Sequence, residues 1–218
     1  VSLQQTNPTR WNHLWQALSA TGSAEPVYAE LVQQWSEPHR HYHNLQHLNE
    51  CLTLLDEYAS HAQQPAILEA ALWFHDAIYD PKAHGTNERQ SAELARSALR
   101  DVRVSESVIE QVYQLIMITQ HHLPDDTPDA ALMCDIDLSI LGQNSERFQT
   151  YEQAIRTEYA WVPEADYIKG RCDFLKTFLQ RPRIYITSVF QARFEEAARQ
   201  NLQASVESLS SVTSLSES

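Results

Sequence analysis

Along most of this chain apolar residues recur every three or four positions, and no convincing set of alternating apolar and polar positions marks a strand. The pattern predicts a first helix from about Arg10 to Leu18, after the Asn7-Pro8-Thr9 turn, and a second from near Glu25 to Trp35, broken around Pro38. Leu45, Leu48, Leu52 and Leu55 then recur at helical spacing and set His47 beside a packed face near the start of a third helix. After a break over His61 to Pro65, AILEAALWFHDAIY is apolar almost all round, the mark of a helix central to its domain. Pro81 and Gly85 break the chain in DPKAHGT, and Thr86 suits the N-cap of an amphipathic helix opening at Asn87. Further helices are predicted over about Ser105 to His121, Ser145 to Tyr159, Pro163 to Leu179 and Thr187 to Leu202, with DAALMCDIDLSILG a short helix stopped by Gly142. The last stretch carries seven serines between Ser205 and Ser218 and reads as a disordered tail.

Four glycines in 218 residues strengthen the helical reading. That length supports a hydrophobic core without metals or disulfides, so a bound metal would be catalytic rather than structural. The formal net charge of -13 repels a phosphate backbone and argues against a stable nucleic-acid complex. A small anionic substrate stays compatible, because a divalent cation inverts the field inside a pocket. Cys51, Cys134 and Cys172 match no zinc or redox spacing and suggest a reducing, cytoplasmic setting. No apolar run approaches the roughly 18 residues that span a bilayer, and VSLQQTNPTR lacks the apolar core of a signal peptide.

The strongest local anomaly is His75-Asp76 within the most apolar predicted helix. A buried, unpaired carboxylate there is costly, and a divalent metal would remove the cost by pairing the charge. His43 and His47, four apart in HNLQH, would share one face if the helix has already begun, whereas His39 and His41 read as a polar loop. Asp135 and Asp137 diverge by about 200 degrees in a helix, so one of them at most faces a shared ion, and periodicity does not choose between them.

HYHNLQHL, WFHDAIYD, TNERQSAELA and CDIDLSILG together resemble the HD superfamily of metal-dependent phosphohydrolases, whose signature is His, then His-Asp, then a distant Asp. YHNLQH and DLS also resemble parts of the cyclic-nucleotide phosphodiesterase catalytic domain. The resemblance implies a compact, all-α, HD-domain-like helical bundle, with 1–38 as N-terminal helices, 39–142 as the metal-binding core, 143–203 as C-terminal helices of the same domain and 204–218 as the tail. It implies metal ligation by His47, His75, Asp76 and Asp137, preferring Asp137 because Leu138-Ser139 follow it, and makes His43 the general acid. The ion would be a divalent transition metal, with Mn, Fe, Co, Ni and Zn not separable by ligand type. The implied reaction is attack of metal-activated water on a small phosphoester, a nucleotide among the options.

Phosphodiesterases carry a further His soon after the HD pair. Here Asp80 and His84 are the nearest choices, and His84, His121 and His122 are the candidates for a second metal position. Asp76 would also orient water, and Glu88 would act as a second base or simply favour its helix start. Lys82, Arg171, Arg181 and Arg183 are candidate phosphate contacts, and Trp73, Phe74 and Tyr79 are either a stacking wall or core. Two other functions compete with hydrolysis: oxygen-dependent chemistry at a di-iron site, and a catalytically inactive helical protein that binds metal or ligand. No G-x-S-x-G, HExxH, Walker or dinucleotide-binding motif is present, and the P-C-x-x-C element of the cytidine deaminases is missing too.

Overall fold

The computed structural model describes residues 4–83, 85–123 and 127–216. Among them every regular element is helical: α1 Pro8–Ala17, α2 Glu25–Trp35, α3 Leu45–Tyr58, α4 Pro65–Phe74, α5 Asn87–Asp101, α6 Glu106–Met117, α7 Pro128–Asp137, α8 Ser145–Glu158, α9 Glu164–Leu179 and α10 Ser188–Ser216. Short 3-10 turns cover Ala59–His61, Ile118–Gln120 and Leu138–Gly142. No described helix is long and apolar enough to cross a membrane.

Local chemistry explains several helix starts. Asn7, Asn44 and Asn144 each accept from a backbone N–H of the following first turn, through side-chain oxygens 2.8–2.9 Å from Arg10, Gln46 and Arg147. Pro8 and Pro65 occupy first-turn positions, where a missing N–H costs nothing. Ahead of α4 the Asp129 carboxylate takes the N–H groups of Gln63 and Gln64 at 2.7 and 2.9 Å.

The chain forms two compact units, Val1–Ile136 and Asp137–Ser218. In the first, α4 is the hub, with α1, α3, α5 and α6 packed on it. Its residues from Ile67 to Phe74 are almost all buried, as the all-round apolar sequence predicts. Trp11, Trp35 and Trp73 fill this core, each side chain contributing about 1.5–3 kcal/mol or more through burial. The indoles of Trp11 and Trp35 donate to the carbonyls of Ala24 and Trp73 at 2.9 and 3.0 Å. Arg10 ties α1 to α3 and α4 through Asp56 and Glu69, at 2.7 and 2.8 Å.

In the second unit α9 packs on α10, and the turn Leu138–Gly142 lies against α8 and α10. Short 3-10 turns leave carbonyls unpaired, and side chains supply the donors here. Tyr185 Oη donates to Leu138 O at 3.1 Å, while Asn201 Nδ2 donates to Leu141 O and Gln143 O at 2.9 and 2.8 Å. Gly142 is required by close approach, because a Cβ there would stand 2.6 Å from Phe194 Cβ and 2.7 Å from Phe194 O.

Two boundaries differ from the sequence reading. The serine-rich segment from 204 continues α10 to Ser216, because Val206 and the residues before it bury a face that carries the helix onward. Finally α4 stops at Phe74, so the HD pair lies past its end rather than inside it.

Candidate metal centre

The end of α4 builds the first half of the site. His75 is the C-cap, its N–H still bonded to Ala71 O, and Ala77 N–H reaches back to Phe74 O in a tighter closing turn. The next amide, Ile78 N–H, goes to Ser91 Oγ at 3.0 Å, and the same hydroxyl donates to Ile78 O, which docks the emerging chain on α5. This exit at Phe74 turns Asp76 out of the core, so its side chain keeps 16% exposure while His75 is fully buried.

The second half comes from α3. His47 is its third residue, 3% exposed, placed by the buried leucine stripe the sequence shows. His47 Nε2 stands 3.2 Å from His75 Nε2, and Asp76 Oδ2 stands 3.3 Å from His75 Nε2 and 3.9 Å from His47 Nε2. Ligand atoms held about 2.0–2.2 Å from one divalent ion lie about 3–3.6 Å from each other. Two of the three edges fit that range and the third is slightly wider. Two buried imidazoles and one carboxylate therefore form a group able to hold a metal ion. His75 Nδ1 is bonded to Leu72 O at 2.8 Å, the outer contact that orients a ligating imidazole. The Trp35 ring covers the buried side, 5.5 and 6.2 Å from the His75 and His47 ring centres.

His43 precedes α3, which opens only at Leu45, so it does not share a helical face with His47. It stacks on Tyr79 at 4.1 Å, and its ring centre lies 6.2 Å from that of His47. His39 Nε2 lies 2.8 Å from Tyr79 O, and His41 is exposed. Tyr79 thus borders the site, while Trp73 and Phe74 are core, 0% and 1% exposed. Glu88 lies in the first turn of α5, and its Oε2 is buried without a hydrogen-bond partner. Lys82 is exposed in the loop that follows the HD turn. That loop is clipped by Asp80 and Asn87, whose side chain donates to Asp80 O at 3.0 Å and accepts from Asp80 N at 3.2 Å.

Asp135 is wholly buried and joins no metal-holding group among the described residues, and Asp137 is the last residue of α7 and the first of the second unit. His121 is exposed and His122 has a left-handed backbone, φ 49°. Neither joins such a group among the described residues, and His84 lies outside them. In the second unit Arg183 is exposed and Arg181 lies over the Phe178 ring at 4.5 Å. Arg171 is buried and ion-paired with Glu152. Burial works against its charge, but Tyr151 and Glu152 more than reverse this and hold the guanidinium well above its ordinary range.

Two residues at this site escaped the sequence reading. Cys51, one turn after His47 and 1% exposed, places Sγ 3.7 Å from His47 Nδ1. The i,i+4 spacing from His47 was the signal available for it. Arg40 is buried at the junction of the two halves, and nothing in its sequence context marks it.

No protein-family model, curated protein or solved structure matches the chain. Its own geometry defines an all-helical protein with clustered His and Asp side chains able to coordinate a metal ion.

Proposed function

We propose that this chain is a metal-dependent phosphohydrolase of the HD type, acting on a small phosphorylated molecule. The convergence of His47, His75 and Asp76 from two segments 28 residues apart is the observation that supports it. Asp137 is proposed as the remaining ligand on the strength of the sequence resemblance. At such a site a divalent ion supplies Lewis acidity toward a phosphoryl oxygen and lowers the pKa of water.

The protein's own groups have separable tasks in this reading. Asp76, the most exposed of the three clustered ligands, accepts a hydrogen bond from the attacking water and orients it. As the new oxygen–phosphorus bond forms and the ester bond breaks, His43 gives a proton to the leaving oxygen. Stacking on Tyr79 holds that ring in place. Glu88 is the candidate second base, and Lys82 the candidate phosphate contact.

The test measures metal content and phosphate release from a panel of nucleotides and phosphoesters, with Mn, Fe, Co, Ni and Zn in turn, for the intact protein and Asp76→Ala. Bound metal and turnover that are both lost in the variant support the reading. Absence of turnover with every metal and substrate overturns it, and metal retained at full affinity by Asp76→Ala removes Asp76 from the ligand set.

A further inference from the structure

Arg40 lies in the His-rich polar stretch before α3, where a cation would ordinarily be solvated. Its side chain is instead 0% exposed. Nη1 donates to Asp76 O at 2.6 Å and to His43 O at 3.1 Å, Nη2 donates to Ala77 O at 2.8 Å, and Nε donates to the Glu37 carboxylate at 2.9 Å. The guanidinium also lies 5.6 Å from the Trp35 ring centre and 5.5 Å from that of Tyr79.

The three carbonyls come from two segments. Those of Asp76 and Ala77 follow the end of α4, where a helix leaves acceptors unpaired and a cation is favoured. That of His43 belongs to the entry of α3. A planar fork with five donors serves acceptors in several directions at once, which a lysine ammonium on a flexible stem does not reproduce. A buried charge is tolerated only when its donors are engaged, and here they are engaged by the backbone of a candidate ligand and of a candidate acid.

We propose that Arg40 is a positioning residue of the metal centre. Its guanidinium clamps the backbone of His43 to that of Asp76 and so fixes the spacing between proton donor and ligating carboxylate. This inference rests on the metal reading above. It predicts that metal affinity, and not just fold stability, depends on the fork.

The experiment measures Mn(II) and Zn(II) affinity by chelator competition for wild type, Arg40→Lys and Arg40→Ala, alongside helical circular dichroism and thermal melting. Arg40→Ala is measured with and without methylguanidinium or methylammonium. Both variants are expected to stay helical and to bind the ions about 10- to 100-fold more weakly, the usual effect of losing a group that orients metal ligands. Methylguanidinium is expected to restore affinity in Arg40→Ala and methylammonium is not. Should Arg40→Ala fail to fold, Arg40→Lys decides. Folded variants that bind as tightly as wild type overturn the role of Arg40 alone, as does methylguanidinium raising the melting temperature with no change in affinity. A wild-type protein that binds neither ion overturns the metal reading, and this inference with it.

Discussion

His75 donates from Nδ1 to the carbonyl oxygen of Leu72, 2.8 Å away and one turn back along the chain, and this bond decides what its other nitrogen does. A carbonyl oxygen only accepts, so Nδ1 carries the proton and Nε2 of the neutral ring holds a lone pair. That lone pair faces His47 and Asp76. The helix that buries His75 therefore also selects its ligating tautomer.

Removing either imidazole takes away a ligand without touching the outer surface. His47→Ala and His75→Ala are expected to reduce Zn(II) affinity by at least about 10- to 100-fold, the range for losing even an outer-shell partner. Titration calorimetry on protein of unchanged helical content checks this, and full affinity in either variant removes that residue from the site.

Metal removal should be visible in thermal melting. An ion present at 100 times its dissociation constant stabilises the folded state by about 2.7 kcal/mol. For a chain of this size each kcal/mol moves a melting midpoint by roughly 2–4 °C. A chelated sample is expected to melt correspondingly lower, and Asp76→Ala to show a much smaller difference between its metal-loaded and chelated forms.

All three cysteines are buried and none of them forms a disulfide. A thiol-specific reagent is expected to label none of them rapidly in the native protein and all three in denaturant. Fast labelling of one thiol under native conditions would show that its burial does not persist in solution.

Much of this arrangement was legible in residue order. Leu48, Leu52 and Leu55 gave α3 its packed face and set His47 beside it, and the apolar run of α4 marked the hub. The exit at Phe74 was not legible, because the apolar pattern runs on through Ala77 and Ile78 while the chain is drawn away by Ser91 and Arg40. Those partners are 13 and 36–37 residues distant and act on backbone atoms, which carry no residue signature. The same reason hid Arg40. The helical course of the serine-rich segment was not legible, because its serines carry the composition of a disordered tail while Leu202 and Val206 bury a face that continues the helix.

Gly142→Ala tests the tight seat of the turn Leu138–Gly142. The added Cβ meets the Cβ and backbone oxygen of Phe194, neither of which is the free end of a flexible side chain. Overpacking of this kind costs about 1–3 kcal/mol. Urea unfolding followed by circular dichroism is expected to show that loss, and an unchanged midpoint would mean that α10 shifts freely.

The second unit should weaken in alkali. Burial pushes the Tyr167 phenol from 10.0 up to about 12, and burial raises Tyr151 as well. Between those pH values the folded state holds a proton that the unfolded state has released, so stability is intact below pH 10 and declines as pH rises toward 12. Tyrosinate absorbance is expected to show late ionisation accompanied by loss of helical signal. Substituting Tyr167→Phe is expected to make that loss less steep.

Enclosure of α4 by four other helices has a kinetic meaning. The backbone amide of His75 is bonded to Ala71 O and its side chain is wholly buried beneath those helices, so its hydrogen exchange is expected to report opening of the whole first unit rather than fraying of one end. The durability of this half of the site is then the durability of the core.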